Sequence, residues 1–202
     1  MCSSDLTKDN AKIKLGIDCG MRLISSVGLL SIHKGHDMAI EVFSELCKSY
    51  TDMLLLIAGG GNDLELKRLK NLCEKRNIVQ KVIFTETQIS NINLVYIASE
   101  FIFSLSKHGE AFGRVPFEAA ALKIPCIGPN CGAILEVLED GKSGIMVDPT
   151  DIPQILYRSK FILSDQNKIS EILIRGKDEV SKKLSPDLLV KRIEEVYDNL
   201  LN

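Results

Sequence analysis

The chain has 202 residues, of which 45% are apolar and 26% are charged, proportions that are ordinary for a globular domain. This length allows one sizeable α/β domain and is short for two. A net charge of -2, the absence of Trp and the presence of only four Tyr argue against a nucleic-acid-binding protein, which needs a cationic surface and aromatic stacking platforms.

The six cysteines contain no Cys-x-x-Cys pair, and their spacing matches neither a zinc site nor a disulfide framework. No run approaches the ~20 apolar residues of a membrane span, and no signal peptide opens the chain. We therefore expect a reduced, cytoplasmic protein. Residues 1–7 lack hydrophobic periodicity, and we expect them to be a disordered, non-native leader on a fragment whose domain occupies residues 8–202.

Apolar runs and helical patterns alternate about six times along the chain, with short connections between them. The apolar runs predict buried strands at residues 23–30, 53–58, 82–84, 101–105, 126–128 and 144–147. After a polar lead-in, helical periodicity predicts helices at residues 34–50, 63–76, 92–98, 113–122 and 133–138, and helices alone over about the last fifty residues. Ser185 and Pro186 are expected as the cap and first-turn residue of the final helix.

This order of elements specifies a doubly wound, Rossmann-like parallel sheet of about six strands, with helices on both faces and a C-terminal helical tail. Sheets of this kind bind their ligands at the carboxyl ends of the strands. We therefore look for the functional residues in the loops that follow the predicted strands.

The most informative of these loops is the segment 109–119, where a predicted strand ends and a predicted helix begins. The unpaired N–H groups of the first helical turn favour an anion such as a diphosphate, and Gly113 lets the ligand approach the backbone closely. Glu110 on the loop and Glu118 in the first helical turns can both face the crevice, where a carboxylate accepts hydroxyl hydrogen bonds. Alternatively, Glu110 only complements the helix N-terminus and Glu118 is an ordinary exposed residue.

The interval from Glu110 to Glu118 matches the E-x(7)-E signature of retaining glycosyltransferases, in the fuller form G-E-x-F-G-R-V-x-x-E-A. Further matching segments occur in the expected order, at residues 27–30, 34–37, 124–128, 132–137 and 140–144. Over roughly residues 12–201, the chain resembles glycosyltransferase family 4. It is similar to the C-terminal, donor-binding domain of the two-domain GT-B fold.

The resemblance implies transfer of a hexose, with retention, from a nucleotide-diphosphate sugar to an unknown sugar, lipid or other glycan acceptor, without a metal ion or a cofactor. It implies that Glu110 contacts hydroxyls of the transferred sugar, Glu118 contacts the ribose hydroxyls and Lys34 neutralises the leaving diphosphate. Glu110 and Lys34 are thus the expected catalytic residues. The other residues expected to bind the donor are Gly28, His108, Ala111, Phe112, Gly113 and Arg114. The acceptor would bind against an absent N-terminal domain, so we expect this chain alone to bind the donor and to be inactive.

Three observations on charge bear on this interpretation. Lys34 is expected at the start of a helix, where the helix dipole disfavours a cation by ~0.3–1 kcal/mol, so a functional use is favoured over a solvated loop lysine. No Asp-x-Asp occurs, so cations and helix N-termini would have to stabilise the leaving group in place of a metal ion. Leu29 stands where many relatives carry arginine, and Arg114 is the candidate replacement for that second cation.

Several residues near these motifs allow two interpretations. The run Gly59–Gly61 either brings backbone close to the nucleotide or is only a flexible turn between a strand and a helix. His33 and His36 are three apart, but we expect solvated loop histidines rather than metal ligands. His108 either bonds a donor hydroxyl or phosphate or is an exposed loop histidine.

Two other functions fit the sequence. A non-catalytic nucleotide-sugar-binding module, or a degenerate transferase, is supported by Leu29. A GT-B-fold epimerase or phosphorylase is the third interpretation, and the Phe112–Gly113 and Lys34–Gly35 pairs favour the transferase over it. A peripheral position at the inner membrane face is compatible with all three.

Overall fold

A computed structural model of the chain describes residues 6–85, 91–108 and 112–201. Within them, six strands form one parallel sheet in the order β3-β2-β1-β4-β5-β6. The strands are β1 (Arg22–Val27), β2 (Met53–Ala58), β3 (Val82–Phe84), β4 (Ser99–Phe103), β5 (Cys126–Pro129) and β6 (Ile145–Val147). The winding of the sheet reverses between β1 and β4, so the crevice expected of such a fold opens beyond the ends of these two strands.

The helices of the described residues precede, connect and follow the strands. They are α1 (Lys8–Lys14), α2 (His36–Leu46), α3 (Asp63–Lys75), α4 (Ile92–Ala98), α5 (Arg114–Ala121), α6 (Ile134–Val137), α7 (Ile152–Ser164), α8 (Gln166–Lys183) and α9 (Pro186–Leu201). The predicted doubly wound parallel sheet with a C-terminal helical tail is confirmed, and β2, β3 and α4 have their predicted bounds. The predicted start of the last helix is also confirmed, because the Ser185 hydroxyl accepts a hydrogen bond from the Leu188 N–H at 3.3 Å.

Helices cover both faces of the sheet. Because successive side chains of a strand point to opposite sides, neighbouring residues of one strand belong to different apolar clusters. Ile24 of β1 and Leu55 of β2 belong to an apolar cluster with α2, α3 and α7. Their neighbours Leu23 and Leu56 belong to a second cluster with α1 and α4. Ala39, Val42, Phe43 and Leu46 of α2 are fully buried, so this helix packs on the sheet through an apolar face.

The first strand ends at Val27 and does not continue to residue 30 as predicted. Gly28 has a φ of 155°, and its N–H donates to the Ala58 carbonyl at 3.0 Å. A Cβ atom at Gly59 would clash with the Gly28 carbonyl oxygen, so glycine is required where the two loops meet. The run Gly59–Gly61 is therefore fixed at its first residue by backbone packing and is not merely a flexible turn.

Several helical bounds differ from the prediction for identifiable reasons. The α1 helix lies within the predicted polar lead-in. Its buried residues are Ala11 and Lys12, which are too few to produce a helical period of apolar residues. Thr7 caps this helix, its hydroxyl accepting from the Asn10 N–H at 3.2 Å. The helix predicted from residue 34 begins only at His36, because Gly35 is left-handed, with φ at 69°. It ends at Leu46, so Cys47 follows the helix, and β4 likewise begins and ends two residues early.

None of the described helices combines the length and the apolar character that crossing a lipid bilayer requires.

Candidate functional site

The expected site residues lie in the two loops that leave the central strands at their carboxyl ends. After β1 the chain passes through Gly28 and Lys34 into α2, and after β4 it passes through His108 into α5. Because β1 and β4 are neighbouring parallel strands, both loops emerge at the same edge of the sheet. Glu110 and Ala111, two of the predicted site residues, lie outside the described residues.

Lys34 is the last residue of a short 3-10 turn, Ile32–Lys34, and does not belong to α2. The prediction that it opens a helix is therefore wrong, although the N-terminus of α2 follows two residues later. Its aliphatic stem lies over Gly28, where an added Cβ atom would be 3.5 Å from the Lys34 Cδ. The glycine thus leaves room for the lysine stem above the end of β1.

His36 is buried, with 1% of its surface exposed, so the prediction of a solvated loop histidine is wrong. Its Nε2 lies 3.1 Å from the Leu29 carbonyl oxygen and its Nδ1 lies 2.8 Å from the Ser26 hydroxyl. A carbonyl only accepts, so the Nε2–H donates to Leu29 and Nδ1 accepts from Ser26. Burial lowers the pKa of His36, which keeps the ring neutral and able to hold the loop after β1 in place.

Asp37, the next residue, connects the two loops of the site. Its Oδ2 lies 2.7 Å from the Lys107 Nζ and 3.4 Å from an Arg68 nitrogen. Burial alone would raise the pKa of Asp37, but the hydrogen bond and charge of Lys107, with the charge of Arg68, outweigh it and lower the pKa. An ionised carboxylate therefore ties the first turn of α2 to the segment after β4. No motif indicated this contact, because its two residues are 70 positions apart in the chain.

His33 and His108 form a second contact between these loops. Both side chains are exposed, their ring centroids are 5.2 Å apart, and the Lys107 N–H donates to the His33 carbonyl at 2.8 Å. His108 therefore lies at the predicted edge, and a ligand there would meet two imidazoles rather than one. Among the residues that the structure describes, no group of three or more His, Cys, Asp or Glu is arranged to hold a metal ion.

The N-terminus of α5 faces the same edge. Gly113 caps this helix with a left-handed backbone, at a φ of 64°, and it has no side chain with which to occupy the first-turn N–H groups. Phe112 is half exposed, and its ring centroid lies 5.2 Å from that of Phe117. This end of α5 therefore presents peptide N–H groups and an aromatic ring to the crevice, which suits an anionic ligand.

Glu118, in the second turn of α5, is held by a residue that the sequence analysis missed. The buried Tyr96 hydroxyl donates to the Glu118 Oε2 at 2.7 Å, while the Arg114 Nε lies 3.8 Å from Oε1. The Arg114 side chain is 82% exposed, so this ion pair lies at the surface of the protein. Leu29, on the opposite loop, exposes 66% of its surface.

An open groove of about 800 Å³ lies between α6 and the second half of α8. Two ion pairs line it, Lys183 with Glu179 at 3.0 Å and Lys142 with Glu139. The groove is therefore a mixed-charge surface, and the cationic and N–H groups suited to a diphosphate lie elsewhere, at the ends of β1 and β4.

Comparison with known proteins assigns the family. The model of the family described as "Glycosyl transferases group 1" matches residues 7–199. The chain belongs to this family. The resemblance to glycosyltransferases inferred from the motifs is thereby confirmed at the level of this family.

Two proteins show how this group 1 glycosyltransferase chain relates to longer family members. The lipopolysaccharide core biosynthesis mannosyltransferase LpsB of Rhizobium meliloti is 23% identical to it, over 96% of this chain and 56% of LpsB. HepE of Anabaena, solved in complex with UDP, matches with a TM-score of 0.87 at 19% identity, over 98% of this chain and 54% of HepE. The chain therefore spans about half the length of each.

A third protein matches over nearly its whole length. It is the C-terminal domain of LpcC, a group 1 glycosyl transferase of Francisella tularensis, with a TM-score of 0.76 and 24% identity. The match covers 89% of this chain and 94% of that domain. The group 1 glycosyltransferase chain thus has the fold of a C-terminal GT-B domain.

Proposed function

We propose that this chain is the donor-binding half of a retaining, metal-independent family 4 glycosyltransferase, and that it binds a nucleoside-diphosphate hexose between the ends of β1 and β4. One observation carries the proposal: Lys34 and the N-terminus of α5 lie in the loops of neighbouring parallel strands, at one edge of the sheet. A diphosphate bound there meets an ammonium group and peptide N–H groups, both of which favour negative charge.

In the proposed reaction, the bond between the anomeric carbon and the diphosphate oxygen breaks and the oxygen of the acceptor hydroxyl bonds to the same face of that carbon. The proton of that hydroxyl passes to the departing diphosphate. Lys34 and the N–H groups near Phe112 and Gly113 stabilise the negative charge that develops on the diphosphate. Glu110 orients hydroxyls of the hexose, and Glu118 accepts the ribose hydroxyls. These groups mainly fix the donor and stabilise its leaving group.

The ligands bound to one relative and the name of another support a nucleoside-diphosphate sugar as the ligand. HepE was solved with UDP and also with UDP-glucose, and LpsB is named as a mannosyltransferase.

Both relatives are about twice as long as the matched region. We therefore propose that the sequence is a fragment of a cytoplasmic protein, and that an N-terminal domain outside it binds the acceptor. Leu6 packs against the cluster that α1 and α4 share, and Thr7 caps α1, so a leader foreign to that protein is limited to residues 1–5. Substantial sugar transfer by these residues alone would contradict the missing-domain proposal.

Thermal unfolding with ligands tests donor binding. The chain is heated with UDP, GDP or ADP, each alone and as its hexose conjugate, in parallel samples that contain either Mg²⁺ or EDTA. A ligand at a hundred times its dissociation constant adds ~2.7 kcal/mol to the free energy of unfolding, so we expect a clear rise in Tm with one nucleotide family.

Matched variants locate the ligand. Lys34→Ala and Glu118→Ala should lose the response, while Lys142→Ala and Glu171→Ala, at exposed positions outside the proposed site, should keep it. No response from a folded wild-type chain would contradict the donor-binding proposal. A response that disappears in EDTA would contradict metal independence.

The exposure of Leu29 favours a second candidate, a non-catalytic nucleotide-sugar-binding module. An apolar side chain that is 66% exposed at the end of β1 supplies no charge for a leaving diphosphate. This candidate predicts that the donor binds but that the full-length protein turns over no substrate. Turnover by the full-length protein decides against it.

A further inference from the structure

The α4 helix places a buried phenol directly behind a carboxylate of the site. Tyr96 has no exposed surface, and its ring packs in an apolar cluster with Ile102 of β4 and Ala119 of α5. Its hydroxyl donates to the Glu118 Oε2 at 2.7 Å. Burial raises the pKa of Tyr96, and the neighbouring carboxylate raises it further, so the phenol stays protonated and remains a donor at any physiological pH.

Because of this hydrogen bond, the two carboxylate oxygens of Glu118 have different partners. Oε2 accepts from the phenol, whereas Oε1 lies 3.8 Å from the Arg114 Nε, which is beyond hydrogen-bonding distance. The Glu118 side chain is 40% exposed and Arg114 is 82% exposed, so solvent weakens the ion pair between them. The buried phenol is therefore the stronger restraint on the Glu118 rotamer, and Oε1 stays available to a ligand.

We propose that Tyr96 is a positioning residue for ribose recognition, holding Glu118 so that the carboxylate accepts the ribose hydroxyls of a nucleoside diphosphate. This inference rests on the proposed function, because it takes Glu118 as the ribose contact. A side chain that is already ordered before the ligand arrives loses less conformational entropy on binding. A carboxylate accepts but does not donate, so a correctly held Glu118 also distinguishes a ribose from a sugar that lacks these hydroxyls.

Removal of the Tyr96 hydroxyl, with the ring retained, tests whether Tyr96 positions Glu118. Tyr96→Phe keeps the buried ring and removes the donor. The probes are UDP, GDP and ADP, each compared with its 2′,3′-dideoxy counterpart by calorimetric titration. For the diphosphate that the wild type binds, we expect Tyr96→Phe to weaken affinity about tenfold, which corresponds to 1.4 kcal/mol. The dideoxy ligand should bind the variant and the wild type equally.

Two further variants give this comparison its controls. Tyr157→Phe makes the same change at an exposed position in α7, and it should bind both ligands as the wild type does. Glu118→Gln should itself lose most of the preference for the ribose ligand. Adding Tyr96→Phe to Glu118→Gln should then cause little additional loss, because both changes act on one contact.

The possible results distinguish a failure of the positioning role of Tyr96 from a failure of the donor-binding proposal. Unchanged affinity in Tyr96→Phe, or an equal loss for ribose and dideoxy ligands, overturns the positioning role and leaves donor binding intact. A wild-type chain that binds none of the three diphosphates rejects donor binding and the positioning role together. If Tyr96→Phe fails to fold by circular dichroism, Glu118→Gln decides, and its retention of the full ribose preference overturns the inference.

Discussion

The ammonium of Lys107 lies 2.7 Å from the Oδ2 of Asp37, although 70 residues separate them in the chain. Asp37 stands in the first turn of α2 and Lys107 lies between β4 and α5. The two loops that frame the crevice are therefore joined by a nearly buried ion pair, in which 11% of the Asp37 side chain and 21% of the Lys107 side chain are exposed.

Asp37→Asn should destabilise the fold by about 2 kcal/mol at pH 7, because it leaves the Lys107 charge poorly compensated. The pKa of Asp37 is lowered, so its contribution is present above about pH 4 and is lost as the pH falls through the lower, folded pKa. Urea unfolding of the variant and the wild type at pH 7 and pH 3 measures this. Asp52→Asn breaks an exposed pair with Arg22 and should cost less. Equal losses from the two variants would contradict the prediction.

His36 should make stability depend on pH at mildly acidic values. Burial lowers its pKa in the folded chain, whereas the unfolded chain binds a proton near pH 6.5. The free energy of unfolding is therefore undiminished above about pH 6.5 and falls below it, by at most ~1.4 kcal/mol per pH unit. Urea unfolding at pH 7.5, 6.5 and 5.5 should show a shallower dependence in His36→Gln. His33→Gln, at an exposed histidine, should keep the wild-type slope, and an equally steep slope in His36→Gln would refute the assignment.

Adjacent glycines in the loop after β2 should respond differently to alanine. A Cβ atom at Gly59 clashes with the Gly28 carbonyl, whereas a Cβ at Gly60 meets nothing within 4 Å. We expect Gly59→Ala to cost ~1–3 kcal/mol, by forcing apart the loops after β1 and β2, and Gly60→Ala to be nearly neutral. Denaturant unfolding compares them. Similar stability of the two variants would show that the Gly28 loop can move aside.

Cys73 should resist modification in the folded chain. It is 2% exposed, and burial raises its pKa to about 11, so little thiolate exists at pH 8. Cys19 is exposed. N-ethylmaleimide at pH 8, followed by mass spectrometry, should label Cys19 first and Cys73 more than ~100-fold more slowly, with both labelled readily in urea. Rapid labelling of Cys73 without urea would mean that α3 opens locally.

Local patterns were sufficient for the order of the elements from β1 onward and for the bounds of β2, β3 and α4, because period and turn residues are local properties, but they missed α1. Through Lys34 and Glu118 they also led to the two loops of the proposed site. The polar pairs that hold those loops were not predictable in the same way. Tyr96 and Glu118 lie on different helices, 22 residues apart, and their contact depends on how both helices pack on the sheet.

The error at His36 has the same origin. Its position beside Lys34 and Gly35 indicated a solvated loop, but the left-handed Gly35 starts α2 at His36, beneath the loop after β1. Ser26 and Leu29 then satisfy both ring nitrogens. A histidine pattern alone does not distinguish a buried ring with two partners from an exposed one, since the difference depends on the path of the backbone around it.

The central position of β1 also determines where amide hydrogens exchange slowly with solvent. This strand is paired along one side with β2 and along the other with β4, whereas the edge strands β3 and β6 are each three residues long. Exchange in β1 requires the sheet to open, whereas exchange at the edges requires only local fraying. The most protected amides thus lie directly beneath the proposed site, and substitutions at either edge can loosen that edge while the residues around the crevice keep their places.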